Sequence, residues 1–121
     1  NRHAVTLGNR AFIYYRQRNF EPALADFSEA IKLDPKVTEN YLGRGNLYFD
    51  LRRYELAVAD LSQAIRLSPK DARYYNNRAA VYVEMNKYEL AAADLRKALE
   101  LDPNSPSIRR NLDKVLRQLE N

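Results

Sequence analysis

Few residues in this chain have the side chains that catalysis or metal binding requires. The chain contains no cysteine and one histidine, His3, which lies at an end that is expected to fray. Disulfides, thiolate zinc sites and thiol nucleophiles are therefore excluded. Gly43 and Gly45 lie inside a helical pattern, so we do not expect them to form a phosphate-binding loop between a strand and a helix. We predict no catalytic residue, no metal site, no cofactor and no enzymatic activity.

Charged side chains, which are better suited to chemistry, recur at a fixed interval along the chain. Three arginines and three aspartates share this spacing: Arg10, Arg44 and Arg78, with Asp26, Asp60 and Asp94. One interpretation is a site that combines a cation with a carboxylate. The other is a set of partly buried ion pairs that fix how neighbouring helices meet. We favour the ion pairs because both columns lie next to core positions.

The same interval organises most of the chain. Pro35, Pro69 and Pro103 share this 34-residue period, and residues 4–37, 38–71 and 72–105 align without a gap. Aromatic, alanine and apolar columns repeat with them: Tyr14, Tyr48, Tyr82; Phe20, Tyr54, Tyr88; Ala23, Ala57, Ala91; Phe27, Leu61, Leu95. Each block contains two apolar stripes with helical spacing, separated by a short break. The sequence therefore predicts three successive pairs of helices.

Residues 106–121 do not continue the repeat. Ser105 can cap a helix and Pro106 suits its first position. An apolar stripe follows at helical spacing: Ile108, Leu112, Val115, Leu116 and Leu119. We predict a seventh helix that covers the apolar end of the third pair, and one domain over residues 1–121. The N-terminal pair lacks such a cover, so an upstream repeat or another copy of the chain can pack there.

These columns resemble the tetratricopeptide repeat family, whose 34-residue period and aromatic, small, tyrosine, alanine and proline positions match residues 4–105. One departure is arginine where the family pattern has leucine, in the column of Arg10, Arg44 and Arg78. The resemblance implies an all-α fold, a right-handed α-solenoid of three antiparallel helix pairs plus a capping helix. It also implies that the first helix of each pair lines a concave groove that binds extended or helical peptides.

On this groove side the first helices carry amides, aromatic rings and arginines. We expect the following residues to bind a peptide: Asn9, Phe12, Arg16, Leu42, Asn46, Phe49, Arg73, Asn76, Asn77 and Asn111. Asparagine has both a donor and an acceptor, so a row of asparagines can hold a peptide main chain. The aligned column Asn9, Gly43, Asn77 and Asn111 resembles the asparagine ladder of the repeat region of O-GlcNAc transferase, with an interruption at the glycine. Solvated surface amides are the alternative.

Phe12 and Phe49 have two possible roles. They either provide apolar pockets for a ligand or pack between adjacent first helices, and the sequence does not separate the two.

The carboxylate clamp of chaperone-binding family members is missing. That clamp needs lysine and asparagine on one first helix, asparagine on the next, and lysine and arginine on the third. The aligned positions in this chain are Gly8, Phe12, Gly43, Arg73 and Asn77. A shift by one repeat removes every cation. We therefore reject the binding of chaperone tails.

Composition limits the partners. Twenty Lys and Arg against 16 Asp and Glu leave a net charge of +4, and the charges recur too often for a membrane-spanning helix. A basic edge is expected at the turns inside the pairs, from Arg16, Arg18, Arg52, Arg53 and Lys87. An acidic partner or an anionic polymer fits this edge, but solvated charge near helix ends is the role we favour, and we do not expect nucleic acid binding.

The resulting functional prediction is a non-catalytic scaffold for protein–protein interaction that binds a peptide segment in the groove. The alternatives are a structural module that self-associates through its uncovered N-terminal repeat, and a substrate-docking region excerpted from a larger protein. No targeting signal is recognised, so a soluble, cytoplasmic protein is the default expectation.

Overall fold

Seven α-helices and short connections make up the chain, and the computed structural model describes all 121 residues. The helices are α1 (Arg2–Arg16), α2 (Phe20–Leu33), α3 (Thr38–Asp50), α4 (Tyr54–Leu67), α5 (Ala72–Glu84), α6 (Tyr88–Leu101) and α7 (Pro106–Glu120). There is no strand, which confirms the predicted all-α class. No helix combines the length and the hydropathy that crossing a membrane requires.

Each helix packs on the next one along the chain. The main contacts join α1 to α2, α3 to α4 and α5 to α6. Helices α2 and α4 also contact the first helix of the next pair, and α6 contacts α7. The first helices also touch one another, α1 with α3 and α3 with α5. Stacked helix pairs of this kind form an α-solenoid, as predicted.

Small residues allow the two helices of each pair to approach closely. Ala11 and Ala79 on first helices are buried, as are three alanines on second helices: Ala23, Ala57 and Ala91. On α3 the same position is Gly45, where an added Cβ would lie 3.1 Å from Leu61 Cγ. The larger column Phe27, Leu61 and Leu95 fills the space beside them with no more than 1% exposure. Alternation of large and small side chains therefore sets the spacing of the pairs.

The turn inside each pair uses one residue with left-handed backbone. Arg18, Arg52 and Asn86 have φ values of 62°, 61° and 60°. The N–H of the following residue donates back to a carbonyl near the helix end at 2.8 to 2.9 Å, from Asn19 to Tyr14, from Arg53 to Tyr48 and from Lys87 to Tyr82. This closure satisfies a carbonyl that the helix end would leave free. Asparagine tolerates the conformation, whereas arginine adopts it under strain.

The seventh helix closes the C-terminal end. The Ser105 hydroxyl accepts a hydrogen bond from the Ile108 N–H at 3.3 Å, and Pro106 occupies the first position. Ile108, Leu112 and Val115 are buried against the alanines of α6. The predicted capping helix is thus confirmed as part of the fold.

The N-terminal end of the stack is open. Leu47 and Val81 are 0% and 1% exposed between successive pairs, whereas Ile13 at the equivalent position is 46% exposed. Ile13 is therefore the exposed counterpart of two core residues.

Candidate functional site

One face of the molecule is formed by equivalent positions of α1, α3, α5 and α7. We call this face the groove. Seven of the predicted binding residues are half-buried on it, which are Phe12, Leu42, Asn46, Phe49, Asn76, Asn77 and Asn111, while Asn9, Arg16 and Arg73 are exposed. A half-buried side chain is held in place by its neighbours and still presents atoms to a ligand.

The groove amides divide into free and paired groups. Asn46 and Asn77 make no side-chain hydrogen bond within the chain, and their polar atoms remain accessible. By contrast, Asn111 Nδ2 donates to Asn76 Oδ1 at 3.2 Å. The aligned asparagine column is therefore not a continuous row, because Gly43 interrupts it and Asn111 bonds to Asn76 rather than lying free beside Asn77.

Phe12 packs between helices. Its ring meets the Phe27 ring edge-on, with centroids 4.9 Å apart and an angle of 86°. An added Cβ at Gly43 would clash with both rings. The glycine that interrupts the asparagine column is thus the position that makes room for this aromatic contact. The geometry favours packing of Phe12, although its ring partner lies on the second helix α2 and not only on the adjacent first helix α3 as the prediction had it.

A cavity of about 370 Å³ opens at the α7 end of the groove. Three predicted residues, Phe49, Asn76 and Asn111, line it together. The other apolar lining residues are Ala79, Ala80, Val83, Leu95 and Val115, with Tyr88 at the edge. The charged and polar rim adds Glu84, Lys114 and Gln118. These three predicted positions lie on three different helices, α3, α5 and α7, and meet at one concavity.

Several lining residues were not predicted as a site, and the repeat register could have found them. Lys114 lies one repeat period after Ala80, and Gln118 lies one repeat period after Glu84. Helix α7 therefore continues the groove positions of the first helices although its apolar columns differ. The signal was hidden because residues 106–121 lack the aromatic and alanine columns that mark the other blocks.

The N-terminal ends of α3 and α5 carry ion pairs of the chain's own residues. The Arg73 guanidinium donates to Asp71 at 2.8 Å and to Glu39 at 3.1 Å. The hydrogen bond to Asp71 raises the pKa of Arg73, and the same contact lowers the pKa of Asp71. Tyr74 donates to Glu39 at 3.0 Å, and burial together with this bond raises the pKa of Tyr74 to about 12. The positive charge of Arg73 is thus already paired with two carboxylates.

A second polar contact links α1 to α3 beside the groove. The Tyr15 hydroxyl donates to Asp50 at 2.6 Å. Burial, followed by this hydrogen bond, raises the pKa of Tyr15. One carboxylate oxygen of Asp50 therefore already accepts a hydrogen bond from within the chain.

The repeated arginines and aspartates form three equivalent ion pairs inside the helix pairs. Arg44 donates to both oxygens of Asp60 at 2.8 Å, and Arg78 donates to Asp94 at 2.8 and 2.7 Å. Arg10 makes the same two contacts with Asp26 at 2.6 and 3.0 Å. Each carboxylate is buried, and its hydrogen bond raises the pKa of the arginine. This geometry favours the structural interpretation of the two columns.

The basic edge carries acidic residues as well. The second helices begin with acids in their first turns, Glu21, Glu55 and Glu89, beside the turns that hold the edge cations. Arg18 additionally lies over the Phe20 ring at 5.2 Å. Interleaved opposite charges weaken a uniform positive field, which favours the role of solvated charge.

The stacked pairs and repeated columns define an α-helical repeat protein. The chain belongs to the tetratricopeptide repeat family, because the "Tetratricopeptide repeat" profile matches residues 4–37 and 72–105 and the "TPR repeat" profile matches residues 45–86. The resemblance inferred from the sequence is thereby confirmed. No curated protein shows a significant sequence match.

Solved structures of the family superpose over nearly the whole chain. The first TPR domain of Spaghetti (RPAP3), bound to the HSP90 peptide SRMEEVD, has a TM-score of 0.94 and 25% identity over 99% of this chain and 95% of that chain. The first TPR domain of human RPAP3 has a TM-score of 0.90 and 25% identity, covering 98% and 93%. The Yersinia enterocolitica secretion chaperone SycD, in complex with a peptide of the translocator YopD, shares the fold with a TM-score of 0.90 and 22% identity, covering 98% and 95%.

Proposed function

We propose that this chain is a non-catalytic interaction scaffold that binds an extended or helical peptide segment of another protein along the groove. One observation carries the proposal: Asn46 and Asn77, on neighbouring first helices, present amides that the fold itself does not use. An amide both donates and accepts, so it can bond to a peptide main chain of any sequence. The partner class is therefore a protein or peptide.

Similar structures support a peptide as the ligand class. The Spaghetti domain, at 25% identity, was solved with an HSP90 peptide. The same comparison does not transfer the ligand itself. Gly8 and Phe12 stand where the carboxylate clamp needs lysine and asparagine, and the one aligned cation, Arg73, is held by Asp71 and Glu39. We therefore expect the peptide SRMEEVD to bind this chain weakly or not at all.

The test is capture of peptides from a random library by the full chain, followed by affinity measurement with fluorescence anisotropy. The double substitution Asn46→Ala, Asn77→Ala removes two hydrogen bonds. We expect about tenfold weaker binding, because each bond contributes roughly 0.5 to 1.5 kcal/mol. The matched control is Asn104→Ala, Asn121→Ala, which removes two exposed amides outside the groove.

Two results would contradict the proposal. One is the absence of any captured peptide. The other is equal affinity of the groove variant and the control variant for every captured peptide, which would place binding elsewhere on the molecule.

A further inference from the structure

We propose that the cavity at the α7 end of the groove takes one large apolar side chain of the bound segment, and that an acidic residue beside this anchor pairs with Lys114. This inference rests on the proposed function and specifies the chemistry of the partner. The occupant is a peptide with an apolar anchor residue and a neighbouring Asp or Glu.

The floor of the cavity is the hydrophobic core itself. Ala79 and Leu95 are 1% exposed and Val115 is 4% exposed, and all three belong to the cluster that joins α5, α6 and α7. Phe49 and Val83 add apolar walls from α3 and α5. A void of about 150 Å³ is enough for a benzene molecule in a protein interior. A cavity of about 370 Å³ therefore has room for a leucine, methionine or phenylalanine side chain.

A pair of amides stands at this cavity. The hydrogen bond from Asn111 Nδ2 to Asn76 Oδ1 joins α7 to α5 and holds both side chains in place. It leaves Asn76 Nδ2 and Asn111 Oδ1 free of partners within the chain. One donor group and one acceptor, side by side, match the carbonyl and N–H of a peptide unit. The anchor residue can thus be bound by its main chain and its side chain together.

The charged side chains around the cavity favour one type of ligand residue beside the anchor. Lys114 lies at the cavity on the α7 wall, and it takes part in none of the chain's ion pairs. Glu84 lies on the α5 wall and would repel a carboxylate there. Helix α7 also carries Arg109, Arg110 and Arg117, against Asp113 and Glu120 as its only acids. An acidic residue of the ligand is therefore favoured on the α7 side of the anchor.

The first experiment fills the cavity. Ala80 is exposed at its wall, so Ala80→Phe adds a ring there without replacing a core residue. The matched control is Ala59→Phe, on an exposed position of α4 outside the groove. Circular dichroism establishes that both variants fold. For peptides captured by the full chain, we expect affinity to fall about thirtyfold for Ala80→Phe and to stay unchanged for Ala59→Phe.

The second experiment scans the peptide and exchanges the charge. Alanine at each peptide position should reveal one apolar residue whose loss weakens binding by about ten- to hundredfold. Lys114→Glu should weaken binding of a peptide with an acidic neighbour, and the same peptide with lysine at that position should regain affinity. Arg109→Glu changes the net charge equally on an exposed residue that does not line the cavity, and should leave the preference unchanged.

The outcomes separate this inference from the proposed function. Suppose that the affinity for captured peptides depends on Asn46 and Asn77, is unchanged in Ala80→Phe, and reveals no apolar anchor residue. The cavity assignment is then wrong and the groove function stands. Loss of affinity with Lys114→Glu that no charge exchange in the peptide restores would remove the acidic neighbour from the proposal. A mass of twice 14.1 kDa that Ala80→Phe returns to 14.1 kDa would show that a second copy occupies the cavity and overturn the proposal. If the full chain captures no peptide, both proposals fail.

Discussion

In the second and third helix pairs, a single arginine joins the two helices of its own pair and also bonds to the pair before it. Arg44 Nη1 donates to Ser28 of the preceding pair at 3.2 Å, and Arg78 Nη1 donates to Ser62 at 3.0 Å, while their other nitrogens bind Asp60 and Asp94. The same guanidinium groups lie over the tyrosine rings of their own helices at 5.7 to 5.8 Å. Planar geometry allows one arginine to make all of these contacts, which leucine at this position cannot make.

Loss of one carboxylate should therefore reduce stability more than binding. Asp60→Ala leaves Arg44 without its carboxylate while the Arg44 side chain is only 21% exposed. We expect the free energy of unfolding to fall by roughly 2 to 4 kcal/mol, because an uncompensated, partly buried charge remains. Urea denaturation measures this loss, and Asp113→Ala, at an exposed aspartate of α7, is the control. Unchanged stability together with lost peptide binding would make the column a ligand site.

The left-handed turn residues offer a stabilising substitution. Arg52 has a φ of 61°, a conformation that asparagine tolerates better than arginine and that Asn86 adopts at the equivalent turn. We expect Arg52→Asn to raise the free energy of unfolding by up to about 1 kcal/mol. The reverse exchange Asn86→Arg should lower it by a similar amount, as measured by urea denaturation. A loss of stability in Arg52→Asn would indicate that the arginine side chain makes a compensating contact at the turn.

Among the elements, α7 both caps the solenoid and forms part of the groove. Its buried face covers α6, and Asn111 and Lys114 on another part of its surface line the cavity. The amphipathic stripe alone accounts for the cap. The groove role follows from the repeat register, which α7 keeps after the repeat columns have ended.

The close approach of α3 to its neighbours depends on two glycines, which differ in how much space the neighbours leave for an added Cβ. An added Cβ at Gly43 would clash with the rings of Phe27 and Phe12, and Phe27 is fully buried and has no space to move. At Gly45 the nearest atom is Leu61 Cγ at 3.1 Å. We expect Gly43→Ala to lower stability by about 1 to 3 kcal/mol despite the better helix propensity of alanine.

Gly45→Ala is the matched comparison, since it lies two residues away on the same helix. Here we expect a change within about 1 kcal/mol, because a gain of about 1 kcal/mol in helix propensity offsets the crowding at Leu61. Thermal unfolding followed by circular dichroism measures both variants. Equal effects of the two substitutions would show that the ring contact does not limit the approach of α3.

For the whole molecule, the open N-terminal end raises the question of self-association. Ile13 is exposed there, and Arg10 has no serine partner like those of Arg44 and Arg78. A copy stacked end to end would not supply that partner. In α6 the position equivalent to Ser28 and Ser62 is Arg96, and α7 covers this end of the stack. Two arginines facing each other would repel, so continuation of the solenoid by a second copy is disfavoured.

We therefore expect the mass to remain 14.1 kDa across a concentration series in light scattering. Arg96→Ser removes the opposing arginine and should still leave the protein monomeric, since α7 covers α6. A dimer formed by Arg96→Ser and not by the unchanged chain would show that Arg96, rather than α7, prevents stacking. A mass that rises with concentration in the unchanged chain would support the self-associating module over the peptide-binding scaffold.

The periodic features of this protein were determined by the sequence alone. The repeated columns set the helix pairs, the all-α class and the family, because helical periodicity and small-to-large alternation are local properties that repeat. The amphipathic stripe of residues 106–121 set the capping helix. The Arg and Asp columns likewise indicated their ion pairs. Ten groove residues followed from the resemblance, but their individual roles did not.

The contacts that these residues make within the chain were decided by the tertiary structure. Phe12 turns toward Phe27 in the space left by Gly43, Asn111 bonds to Asn76, and Arg73 is neutralised by Glu39 of the neighbouring first helix. The cavity exists only where α3, α5, α6 and α7 meet. Each of these contacts joins residues on different helices, and its outcome depends on side-chain direction and on the space the neighbours leave. A linear pattern contains the spacing of residues but not that geometry.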